Sequence, residues 1–192
     1  MNNEDFIQNF KEGKIGIFPT DTAYGIGCRI DDASSIDKIY KLRNRPEEKA
    51  LLALVSSVEM AEEYVNIPED VKDQLIEKYW PGGLTIIFNC YVDKIPANVR
   101  ANGTTLAVRW PNHKGLCEII DKVGVPIVAP SANFSGEPTP LELSEVDTEL
   151  IESVDFVIEG MCTIKGVSTI VDVTVTPWKV VRKGVIELEI EN

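Results

Sequence analysis

Short β-type runs alternate with helical stretches along all 192 residues of this chain. That alternation restricts the fold more than any other feature, because it is the pattern of an α/β domain whose helices cover a largely buried sheet. Strands are predicted over 15–18, 51–55, 84–89, 105–109, 126–129, 155–158, 169–173 and 179–182. Helices are predicted over 3–12, 33–42, 58–65, 68–79, 115–122 and 143–151. The length suits one well-cored unit, since dividing it would leave each half with a marginal interior. No repeat or linker interrupts it, so residues 1–192 are expected to form a single domain.

The stretch from Phe18 to Gly27 carries the strongest sign of a site. It follows an apolar strand and reads as a strand opening into a loop, where Thr20, Asp21, Thr22 and Tyr24 stand beside two glycines. Glycine lets a backbone come close to a ligand, and loops at strand ends of α/β sheets are where ligands sit. A plain turn needs neither the threonines nor the tyrosine.

Composition removes several alternatives. The cysteines Cys28, Cys90, Cys117 and Cys162 are scattered and His113 is the one histidine, which argues against a zinc site and a Ser-His-Asp hydrolase. Reduced thiols and a solvated His113 before a helix are expected. The opening residues are acidic and lack a signal-peptide pattern, and no apolar run reaches membrane-span length, so a cytoplasmic location and no membrane partner are expected. The net charge of −12 argues against broad attraction to nucleic-acid phosphates. Residues 137–159 hold eight carboxylates and no base, the mark of a solvated face. Four of the six arginines nevertheless fall in loop motifs, which suggests a small basic pocket for a compact anion.

Three segments carry candidate ligands, each with two open readings. In the helix over 33–42, Ile36, Ile39 and Tyr40 form a core stripe, and Arg43 follows on the same face, so it is expected to emerge at the core's rim. With Arg45 and Lys49 it forms either an anion cluster or a set of cations favourable at a helix C-terminus. On the strand over 105–109, Thr105, Ala107 and Arg109 share a face. Arg109 there either grips a carboxylate by two parallel bonds or is an edge arginine paired with an acid. Around Gly136, Ser131, Asn133, Ser135 and Thr139 suit phosphate or ribose oxygens, or turns that satisfy their own backbone. The irregular stretch 130–142 is a candidate mobile lid.

Read in order, these segments resemble the YrdC-like threonylcarbamoyl-AMP synthases. The Pro19-Thr20-Asp21-Thr22-Ala23-Tyr24-Gly25 segment is similar to the family's signature after its first strand. Arg43-Asn44-Arg45-Pro46, Pro81-Gly82-Gly83-Leu84-Thr85, Val108-Arg109-Trp110-Pro111, Pro130-Ser131-Ala132-Asn133-Phe134-Ser135-Gly136, Ser168-Thr169-Ile170-Val171-Asp172 and Arg182-Lys183-Gly184 continue the resemblance across nearly the whole chain. It implies an α/β single domain with a twisted mixed β-sheet, helices packed against it and a concave site. The chain is similar to the short family form, without the longer form's extra C-terminal domain.

The resemblance further implies that L-threonine, bicarbonate and ATP are joined into threonylcarbamoyl-adenylate with release of pyrophosphate. Thr22, Arg109 and Ser168, with the backbone near Ala129, would hold threonine. Arg43, Arg45, Lys49, Thr105, Ser131, Asn133, Thr139 and Arg182 would hold ATP, with Arg45, Lys49 and Arg182 acting on the phosphates. Arg43 stands where the family usually has lysine, so its contact is expected to differ. Leu54, where longer members often carry histidine, is expected to line the pocket for the threonine methyl group. Mg2+ would arrive with ATP, with no resident metal. The adenylate would pass to a tRNA-modifying transferase complex, with direct tRNA binding weak or absent. Two other classes stand beside this one: a tRNA or double-stranded-RNA-binding module, and a carbamoyl-transfer domain of the hydrogenase-maturation type.

Overall fold

The computed structural model describes residues 2–189. One mixed sheet runs through it. Its strands are β1 (Gly16–Pro19), β2 (Tyr24–Arg29), β3 (Leu52–Leu54), β4 (Leu84–Asn89), β5 (Thr105–Arg109), β6 (Ile127–Val128), β7 (Phe156–Val157), β8 (Thr169–Asp172) and β9 (Lys179–Arg182). They lie side by side in the order β7-β1-β2-β6-β3-β5-β4-β8-β9. The pairs β1–β7, β3–β5 and β4–β8 are parallel and the other five are antiparallel. Among the described residues no helix is long and apolar enough to cross a membrane.

Alternation along the strands divides the interior in two. Ile17, Ala53 and Val128 belong to the larger core, together with Ile36, Ile39 and Tyr40 of the helix Ala33–Leu42. Their strand neighbours Phe18, Leu54 and Ile127 point to the opposite face, into a second core. The helices Asn3–Lys11 and Lys114–Val123 cover that face with Phe6, Phe10, Leu116 and Ile120. Phe10 meets Phe156 edge-on at 4.9 Å between ring centres and Phe18 at 5.8 Å, a preferred aromatic geometry. The two helices cover the β7, β1, β2 and β6 side of the face and reach Leu54 of β3, while residues of β3, β5, β4 and β8 on the same face line a cleft.

The ends of the helices follow local chemistry. Asn2 and Asp5 form a reciprocal cap on the first helix, and Asp32 accepts from the backbone of Ser34 and Ser35 on the second. His113 starts its helix by accepting from the Leu116 amide at 3.1 Å, a capping role in place of the expected solvated one. Cys28 and Cys162 are buried thiols, while Cys90 and Cys117 are half-buried.

Three predicted elements differ. The expected open loop after Phe18 is only the turn 20–23, and the chain returns as β2, with Phe18 opposite Gly25 and Gly16 opposite Gly27. Gly27 mimics a ligand-binding glycine but answers to packing: a Cβ there would lie 2.0 Å from the Val128 carbonyl oxygen. The helix over 68–79 holds a π-turn, Lys72–Ile76, between two short α segments. The helix over 143–151 splits into a 3-10 turn, Leu143–Glu145, and Thr148–Glu152. The second piece starts anew because Asp147 accepts from the Glu149 amide.

Candidate active site

The open part of the second face is the floor of a cleft. Leu52 and Leu54 from β3, Ala107 and Arg109 from β5, Thr85 from β4 and Ile170 from β8 form it, all on one side of the sheet by the two-residue period. The 20–23 turn, the start of loop 129–142, Arg45, Ser168 and Arg182 form the walls.

The turn is built by Thr20. Its hydroxyl accepts from the Thr22 and Ala23 amides and donates to the Ala23 carbonyl. The same hydroxyl lies 3.1 Å from the Thr22 hydroxyl. Thr22 Oγ1 accepts from Arg109 Nη1 at 2.6 Å and lines the cleft beside it. Tyr24, on the lining, donates to the Gly160 carbonyl at 2.6 Å, and burial raises its phenol pKa.

Arg109 is fixed on three sides. Nε donates to the Gly82 carbonyl at 2.8 Å, Nη1 to Thr22, and Nη2 to Asp21 in a buried ion pair. Burial lowers its pKa and the Asp21 charge opposes that shift. Of five N–H groups, three are engaged, leaving one on each terminal nitrogen. That is the complement a ligand carboxylate needs for two bonds. The alternative of an arginine merely paired with an acid is thus half-realised: the acid is present, and the arginine still faces the cleft.

Arg45 and Arg182 are held differently. Arg45 donates to the carbonyls of Lys49 and Ala50 at 3.1 and 2.7 Å. Arg182 donates to the Ser168 carbonyl through Nε and Nη2 at 3.0 and 2.8 Å, and to the Ser168 hydroxyl at 2.9 Å. Thr85 shares a 2.8 Å bond with that hydroxyl. Burial lowers the pKa of both arginines. Among the described residues neither has a carboxylate within 4.0 Å. Arg45 is half-buried and Arg182 exposed, and cations without a nearby counter-charge favour an incoming anion.

Of the residues named from the sequence, Thr22, Arg45, Arg109, Ala129, Ser131, Thr139, Ser168 and Arg182 converge on the cleft, as does Leu54. Arg43 does not emerge at the rim. It is 3 % exposed and runs beneath loop 129–142, donating to the Asn133 carbonyl at 2.8 Å, to Asn133 Oδ1 at 3.2 Å and to Ser131 Oγ at 3.4 Å. The cause is long-range, in acceptors that arrive from residues 131 and 133, and Asn44 turns the chain directly after Arg43 with a left-handed φ of 48°. Burial brings the Arg43 pKa down to about 10, with Arg45 adding to the shift. Asn133 spends its amide on the Phe134 and Glu137 carbonyls. Arg43 and Asn133 therefore clamp the loop, and neither lines the cleft. The Tyr24 amide donates to Pro140 and Ala132 to Tyr24, so the lid reading of 130–142 gives way to a loop stitched to β2. Lys49 is exposed and only its carbonyl serves the site, while Thr105 sits half-buried beyond the lining. Thr85 lines the cleft and was not among the residues named from the sequence. Its place on the alternate face of β4 was the available signal.

A family described as Sua5/YciO/YrdC, "Telomere recombination", matches residues 8–184. The threonylcarbamoyl-AMP synthase of Pyrococcus abyssi is 34% identical over 181 residues, covering 93% of this chain and 53% of the relative. That of Bacillus subtilis is 32% identical over 161 residues, covering 84% and 46%. The chain thus spans about half the length of these curated relatives. The solved structure of P. abyssi Sua5 complexed with L-threonine superposes with a TM-score of 0.89 at 29% identity, covering 95% of this chain and 54% of that one.

Proposed function

The chain belongs to the Sua5/YciO/YrdC family, and from that premise we propose that it makes threonylcarbamoyl-AMP from L-threonine, bicarbonate and ATP, releasing pyrophosphate. The whole chain works as one YrdC-like domain in the cytoplasm. The observation that carries the reading is the presence of two kinds of arginine on one cleft. Arg109 and Thr22 offer paired N–H donors and a hydroxyl, the complement of an amino acid's carboxylate and amine. Arg45 and Arg182 are, among the described residues, cations with no carboxylate within 4.0 Å, and the hydroxyls of Ser131 and Thr139 share the lining with them, the complement of phosphates.

The threonine amine first captures bicarbonate as a carbamate with loss of water. A carbamate oxygen then attacks the α-phosphorus of ATP, and the bond to the β-phosphate oxygen breaks as pyrophosphate leaves. Such a displacement needs alignment and charge neutralisation in place of a covalent nucleophile. Arg45 and Arg182 supply the neutralisation, and Arg43 acts through the loop it clamps. Leu54 and Ala107 give the threonine methyl an apolar seat. Among the described residues the lining holds no carboxylate, so Mg2+ would enter with the nucleotide, where it would help neutralise the phosphate charge. The adenylate is consumed by a tRNA-modifying transferase complex.

Pyrophosphate release with ATP, labelled bicarbonate and a panel of amino acids tests the reading. Release requiring threonine and bicarbonate together is the expected result. Release that persists without either overturns it.

A further inference from the structure

Asp21 is not on the cleft lining, yet among the described residues its carboxylate is the one acid paired with the cleft's arginines. It is 0% exposed, and it uses one oxygen only: Oδ1 receives Arg109 Nη2, while Oδ2 is buried with no partner. A pair arranged for stability alone would engage both oxygens with the guanidinium fork. Asp21 is also unable to withdraw, because the turn is fixed by Thr20 and the Ile164 amide donates to the Asp21 carbonyl at 2.7 Å.

We propose that Asp21 is a built-in competitor for the threonine carboxylate, a residue that weakens substrate binding by sharing the Arg109 guanidinium with it. The inference rests on the assignment of Arg109 to threonine. Two carboxylates on one cation repel each other across a poorly screened interior. The second binds less tightly than it would to a bare arginine, and threonine remains easily exchanged until ATP arrives. The cost avoided is an uncompensated buried cation in the free protein: Arg109 is 3% exposed, whereas Arg45 is half-buried and Arg182 exposed.

Replacing Asp21→Asn keeps an oxygen for Arg109 Nη2 and removes the charge. Calorimetric titration of wild type and variant with L-threonine, and with L-threoninol, which lacks the carboxylate, reads the effect. The variant is expected to bind threonine at least about fivefold more tightly than wild type, with threoninol binding equal in the two. If the variant isolates unfolded, threonine is expected to restore its thermal transition and threoninol is not. Equal or weaker threonine binding by the variant overturns the inference. So does a variant that neither compound folds, or one on which both act alike. A wild-type protein that binds no threonine overturns the functional reading beneath it, which separates the two failures.

Discussion

Arg109 and Arg182 line one cleft under opposite conditions. Arg109 has a buried carboxylate, a hydroxyl and a carbonyl around it and presents two remaining N–H groups. Arg182 has only the carbonyl and hydroxyl of Ser168, with its charge uncancelled. A neutralised guanidinium recognises by direction, since little net charge remains to attract anions at large. A bare one attracts by charge and suits a polyanion whose oxygens offer many equivalent contacts. The difference sets a directional arginine apart from a charge-attracting one on a lining that, among the described residues, holds no carboxylate.

The sharpest way to break this comparison is Arg109→Ala. It removes the directional donors and strands Asp21 in the interior, so the KM for threonine should rise about 100-fold while that for ATP changes little, with about 3–5 kcal/mol of stability lost. Titrating each substrate while following pyrophosphate checks it, and equal effects on both would remove the distinction between the two arginines. Phe10→Ala, under the covered half of the same face, should cost about 3–5 kcal/mol in denaturant unfolding with both KM values within twofold. A changed KM would mean that the helical cover and the open floor are not independent.

Arg182→Ala should raise the KM for ATP about tenfold, the scale of a lost charged hydrogen bond. Its effect on threonine should be smaller and arise through Ser168, a difference steady-state kinetics resolves. Inorganic pyrophosphate at about 100 times its Kd should stabilise the wild type by about 2.7 kcal/mol. The shift in melting temperature should be clearly reduced in Arg182→Ala. The smallest effect belongs to Thr105→Ala: a residue outside the lining should leave the ATP KM within about twofold, as ATP titration would read.

Much of this division was legible from residue order. Thr105, Ala107 and Arg109 were placed on one strand face, and two of the three reach the cleft. The helix Ala33–Leu42 formed with its expected stripe. Strand β2 was hidden because one of its glycines, Gly27, read as freedom, answers to a neighbouring carbonyl from residue 128. The burial of Arg43 was hidden for a related reason. Its partners at Ser131 and Asn133 lie about ninety positions away, and no local pattern announces a carbonyl that arrives from that distance. Asp21 stood in the signature segment, but its pairing with Arg109 likewise spans 88 residues. Local chemistry predicted which residues are polar near the site, and long-range closure decided which of them face it.

That closure bears on how the protein is made. The cleft takes Thr22 from near the start and Arg182 from near residue 192, and β1 lies parallel to β7 from late in the sequence. A ribosome-bound chain lacking β8 and β9 has neither the Ser168 anchor nor the guanidinium it orients. Products terminated before β8 and β9 should therefore carry an incomplete cleft, and binding of pyrophosphate becomes a report that synthesis has run past Arg182.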